Sequence, residues 1–97
     1  MTVHGEYKVP GGKLVVVDLD VVDGQLRNVQ LSGDFFLEPD TALAQMNAAL
    51  NGLPAVSSRE KIIAAINAAL GDDVLMYGFS ADAVAETVQR ALDGTQP

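Results

Sequence analysis

Hydrophobic and polar residues alternate in the first third of the chain at the spacing of β-strands. The segment from Lys13 to Val22 is rich in valine and ends at Asp23-Gly24, a dipeptide typical of hairpin turns. The alternation resumes after this turn and continues from Gln25 to Phe36. We therefore predict two antiparallel strands here, preceded by a shorter strand that carries Tyr7 and Val9.

The lengths of the two turns decide which side chains share a face of this sheet. A two-residue Asp23-Gly24 loop would scatter the apolar residues over both faces, because one register step moves every side chain across the sheet. A three-residue loop with Gly24 left-handed and a glycine-type bulge gathers them instead, with Val15, Val17 and Leu19 beside Leu31, Val29 and Arg27. A three-residue Pro10-Gly11-Gly12 loop likewise brings Tyr7 and Val9 to this face.

The rest of the chain has apolar residues at helical spacing, in three stripes that each end at a glycine. We expect the first helix to start near Pro39, the second at a Ser57–Glu60 capping box and the third at Ser80. Residues 74–79 are predicted to be a brief strand or a buried loop. The stripes are Leu43, Met46 and Leu50; Ile62, Ile63, Ile66 and Leu70; and Val84, Val88, Ala91 and Leu92.

Strands followed by helices, each with one apolar face, are typical of α+β proteins. The length of 97 residues fits one small domain. We predict a single α+β domain over residues 1–97, with a three-stranded antiparallel sheet in meander order, packed by about three helices in two layers. The tails are expected at about residues 1–5 and 94–97.

The composition excludes several classes of function. Thirteen acids against six bases give a formal net charge of −7, so we expect no nucleic-acid and no membrane partner, because phosphate binding depends on lysine and arginine. The absence of cysteine excludes thiol catalysis, disulfides and cysteine-bound metals. With no signal peptide and no apolar run that would span a membrane, we expect a cytoplasmic protein.

The motif KVPGGK, from Lys8 to Lys13, combines glycines with two of the six basic residues. A phosphate-binding P-loop needs a strand before it, a helix after it and a Ser or Thr after its lysine. Here a strand follows and Leu14 takes the Ser/Thr position, so this is not a P-loop. Two interpretations remain: a plain hairpin turn, which we favour, and a turn whose lysines also face an anion held by another chain.

Other candidates for chemistry are sparse. Asp18 and Asp20 share one strand face, but no histidine or third acid stands at a spacing that would support metal binding or acid–base catalysis. His4 is expected in a mobile end. Phe36 should point away from the core face, where it either contacts a partner or, as we favour, packs under the first helix. We predict no catalytic residue and no metal site.

Most of the chain, roughly Glu6 to Leu92, resembles the C-terminal accessory domain of bacterial and archaeal lipoate–protein ligases. The more specific parts of the resemblance are the PGGKL turn, the DG hairpin and the segment GDFFLEPD. The stretches that carry it are KVPGGKLVVVDLDVVDGQLRNVQLSGDFFLEPDTALAQMNAALNGL and YGFSADAVAETV.

The resemblance implies a fold similar to SufE and the iron–sulfur scaffold proteins, although the cysteines of those scaffolds are missing. It implies an accessory subunit that is not an enzyme by itself and binds no cofactor alone. With a catalytic subunit it would enable lipoate activation by ATP to lipoyl-AMP, and so protein lipoylation. The implied partners are that catalytic subunit and, indirectly, lipoyl-acceptor domains.

In terms of residues, the resemblance implies that the loop with Lys8, Gly11, Gly12 and Lys13 lies near the adenylate and faces the partner. Phe36 is a second possible contact with the partner. Two other classes of function stay open: a protein-binding or scaffold-like module without a ligase role, and a small metal-dependent enzyme that uses Asp18 and Asp20. The sequence does not distinguish lipoate from octanoate, nor does it indicate the acceptor.

Overall fold

The computed structural model describes residues 2–70 and 74–93, which form two small sheets and three helices. The predicted α+β class is confirmed. The strands are β1 (Thr2–Lys8), β2 (Leu14–Val22), β3 (Gln25–Gly33), β4 (Phe36–Glu38) and β5 (Leu75–Tyr77). The helices are α1 (Thr41–Leu50), α2 (Arg59–Ala69) and α3 (Ala81–Asp93).

The main sheet is an antiparallel meander in the order β1-β2-β3, as the sequence predicts. Helix α3 packs on β1 and β2, α1 packs along β3, and α2 packs against both other helices. The buried side chains of the sheet therefore lie on the helix side, while the opposite face of the sheet carries most of its polar residues. None of the helices in the described part of the chain has the length and hydropathy of a membrane span.

The first hairpin has the predicted three-residue loop. The Val9 N–H donates to the Lys13 carbonyl at 3.0 Å, and Gly11 has φ +72°. Tyr7 lies opposite Val15, so it faces the core side of the sheet as predicted.

The expected N-terminal tail differs from the structure, because residues 2–5 belong to β1 and pair with β2. Gly5 is buried under α3, where a Cβ would lie 2.6 Å from the Thr87 carbonyl oxygen. This close approach explains why a glycine stands in the middle of a strand. The predicted tail at 94–97 and the helix ends at Gly71 and Gly94 lie outside the described residues.

The predicted three-residue loop between β2 and β3 is wrong. Val22 pairs with Gln25, which leaves a two-residue loop in which Asp23 has φ +52° and Gly24 φ +75°. Positive φ at both positions is the geometry of a type I′ hairpin turn, whose twist matches that of the strands.

A β-bulge, in which β3 has one residue more than β2, keeps the apolar side chains on one face. It lies inside β3 and not in the turn. The register shifts between Asp18 and Asp20, opposite Asn28, whose φ is +52°. This irregularity buries Leu26 and leaves Arg27 exposed, the reverse of the prediction. Val15, Val17 and Leu19 are buried together with Leu31 and Val29 as predicted, but Val17 pairs with Leu31.

The helix starts agree with the sequence only in part. Helix α1 starts at Thr41, two residues after Pro39. Ser58, and not Ser57, caps α2, because its Oγ accepts a hydrogen bond from the Lys61 N–H at 3.2 Å. For α3 the prediction is confirmed, since the Ser80 Oγ accepts from the Ala83 N–H at 3.2 Å.

The predicted apolar stripes supply the core, with some members at its edge. Each of the three helices contributes fully buried side chains from its stripe, and each stripe also contains at least one half-buried residue. The buried members are Met46, Leu50, Ile62, Ile66, Val84, Val88 and Ala91, and the half-buried ones are Leu43, Ile63, Leu70 and Leu92.

Candidate functional site

Strands β4 and β5 form a separate two-stranded ribbon in which Phe36 lies opposite Tyr77 and Glu38 opposite Leu75. Residues that face each other on antiparallel strands point to the same side of a ribbon. The outer side thus carries three large apolar side chains, Phe36, Tyr77 and Leu75, exposed by 74%, 52% and 49%. The inner side packs on the core through Leu37 and Met76.

Phe36 therefore does not pack under the first helix, and that part of the prediction is wrong. Its strand pairs with β5, which directs the ring away from the core. The other interpretation of Phe36, contact with a partner, stays a prediction.

The PGGK turn lies against this ribbon. The Lys13 N–H donates to the Gly78 carbonyl at 2.8 Å, directly after Tyr77. A Cβ on Gly12 would lie 2.6 Å from the same carbonyl oxygen, so only glycine fits at this contact. We call residues 8–14, 36–38 and 75–78 the turn–ribbon surface. It joins two segments that the sequence singles out separately, the loop of Lys8, Gly11, Gly12 and Lys13 and the aromatic Phe36.

The two lysines of the turn have different surroundings. The Lys8 ammonium group donates to the carbonyls of Val9, at 3.2 Å, and Gly12, so it braces its own turn. The Lys13 ammonium group is exposed and makes no hydrogen bond or ion pair with the part of the chain that the structure describes. Lys13 is therefore the lysine of the turn that is free to meet an anion.

A groove of about 420 Å³ lies beside Phe36, between the end of β3, the ribbon and the start of α1. The ring of Phe35 is fixed in its wall by stacking on Phe79, with ring centroids 4.1 Å apart. Asp40 lines the groove and makes no side-chain capping bond to α1, and none of the described lining residues is basic. The lining comprises Leu31, Ser32, Gly33, Phe35, Phe36, Leu37, Asp40 and Leu43.

The predicted carboxylate pair is divided between two hydrogen-bonded groups on the outer face of the main sheet. Asp18 Oδ1 lies 2.7 Å from His4 Nδ1, and Glu6 Oε2 lies 2.6 Å from His4 Nε2. The hydrogen bond with Glu6 and then that with Asp18 raise the pKa of His4 above its ordinary value of 6.5. His4 is thus part of β1 and not of a mobile end; the alternation of Thr2, His4 and Glu6 with apolar or small residues was the signal for this strand.

Asp20 is held by neutral donors. It accepts hydrogen bonds from the Thr2 hydroxyl at 2.5 Å and the Asn28 amide at 2.8 Å, and these bonds, with that of Thr2 first, lower the pKa of Asp20. Among residues 2–70 and 74–93, no three His, Asp or Glu side chains are placed to hold a metal ion. Asp18 and Asp20 therefore belong to two separate hydrogen-bonded groups on this face.

Two asparagines that were not predicted from the sequence close the free edge of β3. Asn47 Oδ1 accepts from the Leu31 N–H and Asn51 Oδ1 from the Val29 N–H, both at 3.0 Å. Asn47 lies in the last turn of α1 and Asn51 directly follows the helix, and their spacing of four residues was the available signal. Beyond them, backbone hydrogen bonds from residues 52–55 cover the start of β3. These backbone groups of β3 are therefore not available for pairing with a partner strand.

Comparison with known proteins gives one clear likeness. The chain is similar to a protein of an archaeal lipoylation system. The matching structure comes from a study of a bipartite lipoate protein ligase and its E2 lipoyl domain from Thermoplasma acidophilum, with a TM-score of 0.73 and 25% sequence identity. The alignment covers 91% of this chain and 94% of that chain, so the likeness concerns the complete fold. No family model and no curated protein matches the chain.

Proposed function

We propose that this protein is the accessory subunit of a bipartite lipoate–protein ligase. In this role it binds a separate catalytic subunit and enables that subunit to activate lipoate with ATP to lipoyl-AMP, the step before transfer to a lipoyl-acceptor domain. The observation that carries the proposal is the likeness, over nearly the full length of both chains, to a protein of a bipartite ligase system. The PGGKL, DG and GDFFLEPD motifs point to the same family independently of that comparison.

The turn–ribbon surface supplies what a non-catalytic subunit needs, which is a contact surface and a free charge. The exposed side chains of the ribbon are available for docking, and Lys13 stands next to them on the PGGK turn. A cation held beside the phosphate of an adenylate stabilises the charge that develops there without reacting itself. In this proposal Lys13 provides the charge, Lys8 shapes the turn, and ATP and lipoate are bound by the catalytic subunit.

The test is an assay of lipoyl-AMP formation from ATP and lipoate, with the catalytic subunit of the same organism in the presence and absence of this protein. We expect rapid adenylate formation only when both proteins are present. Equal formation by the catalytic subunit alone would contradict the proposal. That result would favour a binding module without a ligase role. The protein would then be used as bait in a pull-down experiment to find its partner.

A further inference from the structure

We infer that the groove beside Phe36 is the docking site for the catalytic subunit and that it receives an apolar side chain flanked by basic residues. The inference rests on the proposed function, because it takes the catalytic subunit as the occupant. It adds the location of the contact on this chain and the chemistry of the surface that fits it.

The shape and the apolar character of the groove support a side-chain anchor. Its volume of about 420 Å³ is large enough to receive an apolar side chain from a partner. Leu31, Phe35 and Leu43 supply apolar walls, and Phe36 stands at the rim with 74% of its surface exposed. An exposed aromatic side chain beside a preformed groove is the arrangement that concentrates binding energy at the centre of interfaces.

The charges around the groove determine which surface fits. Asp40 lines it, Asp34 and Glu38 belong to the same short segment, and no lysine, arginine or histidine is among the described lining residues. Complementary potentials across an interface favour binding, whereas like charges that face each other oppose it. The occupant should therefore carry lysine or arginine around its apolar side chain.

The same charges argue against a second copy of this chain as the occupant. In a symmetric dimer each groove would face the same patch on the other copy. The acidic residues Asp40 and Glu38 of both copies would then lie within one interface, between chains that each have a net charge of −7. A basic partner of different sequence avoids this repulsion.

The position of the groove links docking to the proposed role of Lys13. The ribbon that carries Phe36 is bonded to the PGGK turn through the contact from Lys13 to Gly78. A subunit held at the groove would thus have Lys13 as a neighbour, with no further movement of the turn.

The experiment measures the affinity of the catalytic subunit for variants of this protein by titration calorimetry, at about 20 mM and about 0.5 M salt. Phe36→Ser should weaken binding at least about tenfold at both salt concentrations. The double variant Glu38→Gln/Asp40→Asn should weaken it several-fold at low salt and flatten its salt dependence. Asp40 makes no capping hydrogen bond, so its substitution leaves α1 intact.

Two control variants remove an apolar side chain and a carboxylate at positions outside the groove. Val56→Ser removes a side chain that is 93% exposed and away from the groove. Asp82→Asn removes a carboxylate from the first turn of α3, as Asp40→Asn does at the start of α1. Both controls should bind within about twofold of the wild type, and circular dichroism should show all variants folded.

The outcomes separate this inference from the proposed function. If adenylate formation requires this protein but the Phe36 and Glu38/Asp40 variants bind like wild type, the groove is not the docking site and the proposed function stands. If the wild type neither binds the catalytic subunit nor affects adenylate formation, both fail. A homodimer that Phe36→Ser dissociates, measured by sedimentation, would overturn the inference in favour of a second copy.

Discussion

Lys8 and Lys13 lie at the two ends of one turn, but their side chains make different contacts. Lys8 satisfies two carbonyl groups of the turn, whereas Lys13 makes no such bond and extends beside Gly78. The motif that first suggests a phosphate loop is therefore a braced hairpin with one free cation. At the scale of single residues, this difference separates a structural role from the proposed electrostatic role.

Replacing each lysine by methionine tests this division. Lys8→Met should lower the free energy of unfolding by about 0.5 kcal/mol, because exposed turn carbonyls lose their donor but regain water. Lys13→Met should leave stability unchanged and slow lipoyl-AMP formation by about tenfold or more in the reconstituted pair. Urea unfolding and the adenylation assay measure the two effects.

The control for both variants is Lys61→Met, an exposed lysine on α2, far along the chain from the turn. It should change neither stability nor adenylate formation. An Lys13→Met protein that supports adenylation at the wild-type rate would show that Lys13 is only a turn residue.

At the scale of elements, helix α1 has two functions in the fold. Met46 and Leu50 contribute to the core, while Asn47 and Asn51 occupy N–H groups of β3 that no strand pairs with. An open sheet edge is a site for unwanted pairing, and side-chain acceptors remove that risk. Three of the exposed large apolar side chains, Phe36, Leu75 and Tyr77, lie elsewhere, on the ribbon beside the PGGK turn.

Substitution of these asparagines should reveal the edge closure. Asn47→Ala or Asn51→Ala leaves a partly buried N–H of β3 without its acceptor, which should cost about 1–3 kcal/mol of unfolding free energy. Asn51→Asp should retain part of the stability, because its oxygen still accepts a hydrogen bond. The measurement is chemical denaturation.

Asn67→Ala is the matched control. Asn67 of α2 is exposed, and the residues Ala-Ala-Leu follow it as they follow Asn47 of α1. Its effect should stay within about 0.5 kcal/mol. An equal loss for Asn67 and Asn47 would contradict edge closure as the cause, because the change from Asn to Ala by itself favours a helix.

At the scale of the whole molecule, charged side chains connect the elements around the core. Glu86 of α3 pairs with Arg59 of α2 and with Arg90, whose guanidinium also lies 4.6 Å from the ring centre of Tyr7 on β1. The hydrogen bond from Arg90 is the first cause of the lowered pKa of Glu86. On the other face of the sheet, His4 joins β1 to β2 through Asp18.

These shifts predict opposite pH dependences for the two groups. The pKa of His4 is raised on folding. The contribution of His4 to stability is therefore complete below about pH 6.5 and is lost as the pH rises through the pKa of the folded state. Glu86 behaves in the opposite way, because its pKa is lowered on folding. Its contribution to stability is present above about pH 4.5 and is lost as the pH falls through the pKa of the folded state. Both contributions are present together in mildly acidic solution.

His4→Gln should therefore lower the urea midpoint relative to wild type at about pH 5.5 and leave it nearly equal at about pH 9. Asp18→Asn should reduce the same pH dependence, because it removes one of the two carboxylates that hold the charged ring. A difference between wild type and His4→Gln that does not vary with pH would contradict the assignment of charge to His4.

Features that depend on local periodicity and local chemistry follow from the order of the amino acids. Alternation with a period of two defined the strands of the meander, apolar stripes defined three helices, and Ser80 marked the start of the last one. The PGGK loop was predictable to its length, because Pro10, Gly11 and Gly12 restrict the backbone within a few residues. The motifs also indicated the ligase system to which the comparison points.

The positions of several other features depend on contacts between distant parts of the chain. The extra residue of the β2–β3 hairpin lies at Asn28 and not in the turn. This position allows the hairpin to have both a type I′ turn and a continuous core face. Phe36 became exposed because β4 pairs with β5, a strand distant in the sequence, and Asn47 meets β3 only once α1 has packed along it. Contacts between residues far apart in the chain leave no periodic signal in a single sequence. The candidate surface is built from such contacts. The PGGK turn and Phe36 were singled out from the sequence, whereas Leu75, Tyr77 and the joining of these segments in one surface were not.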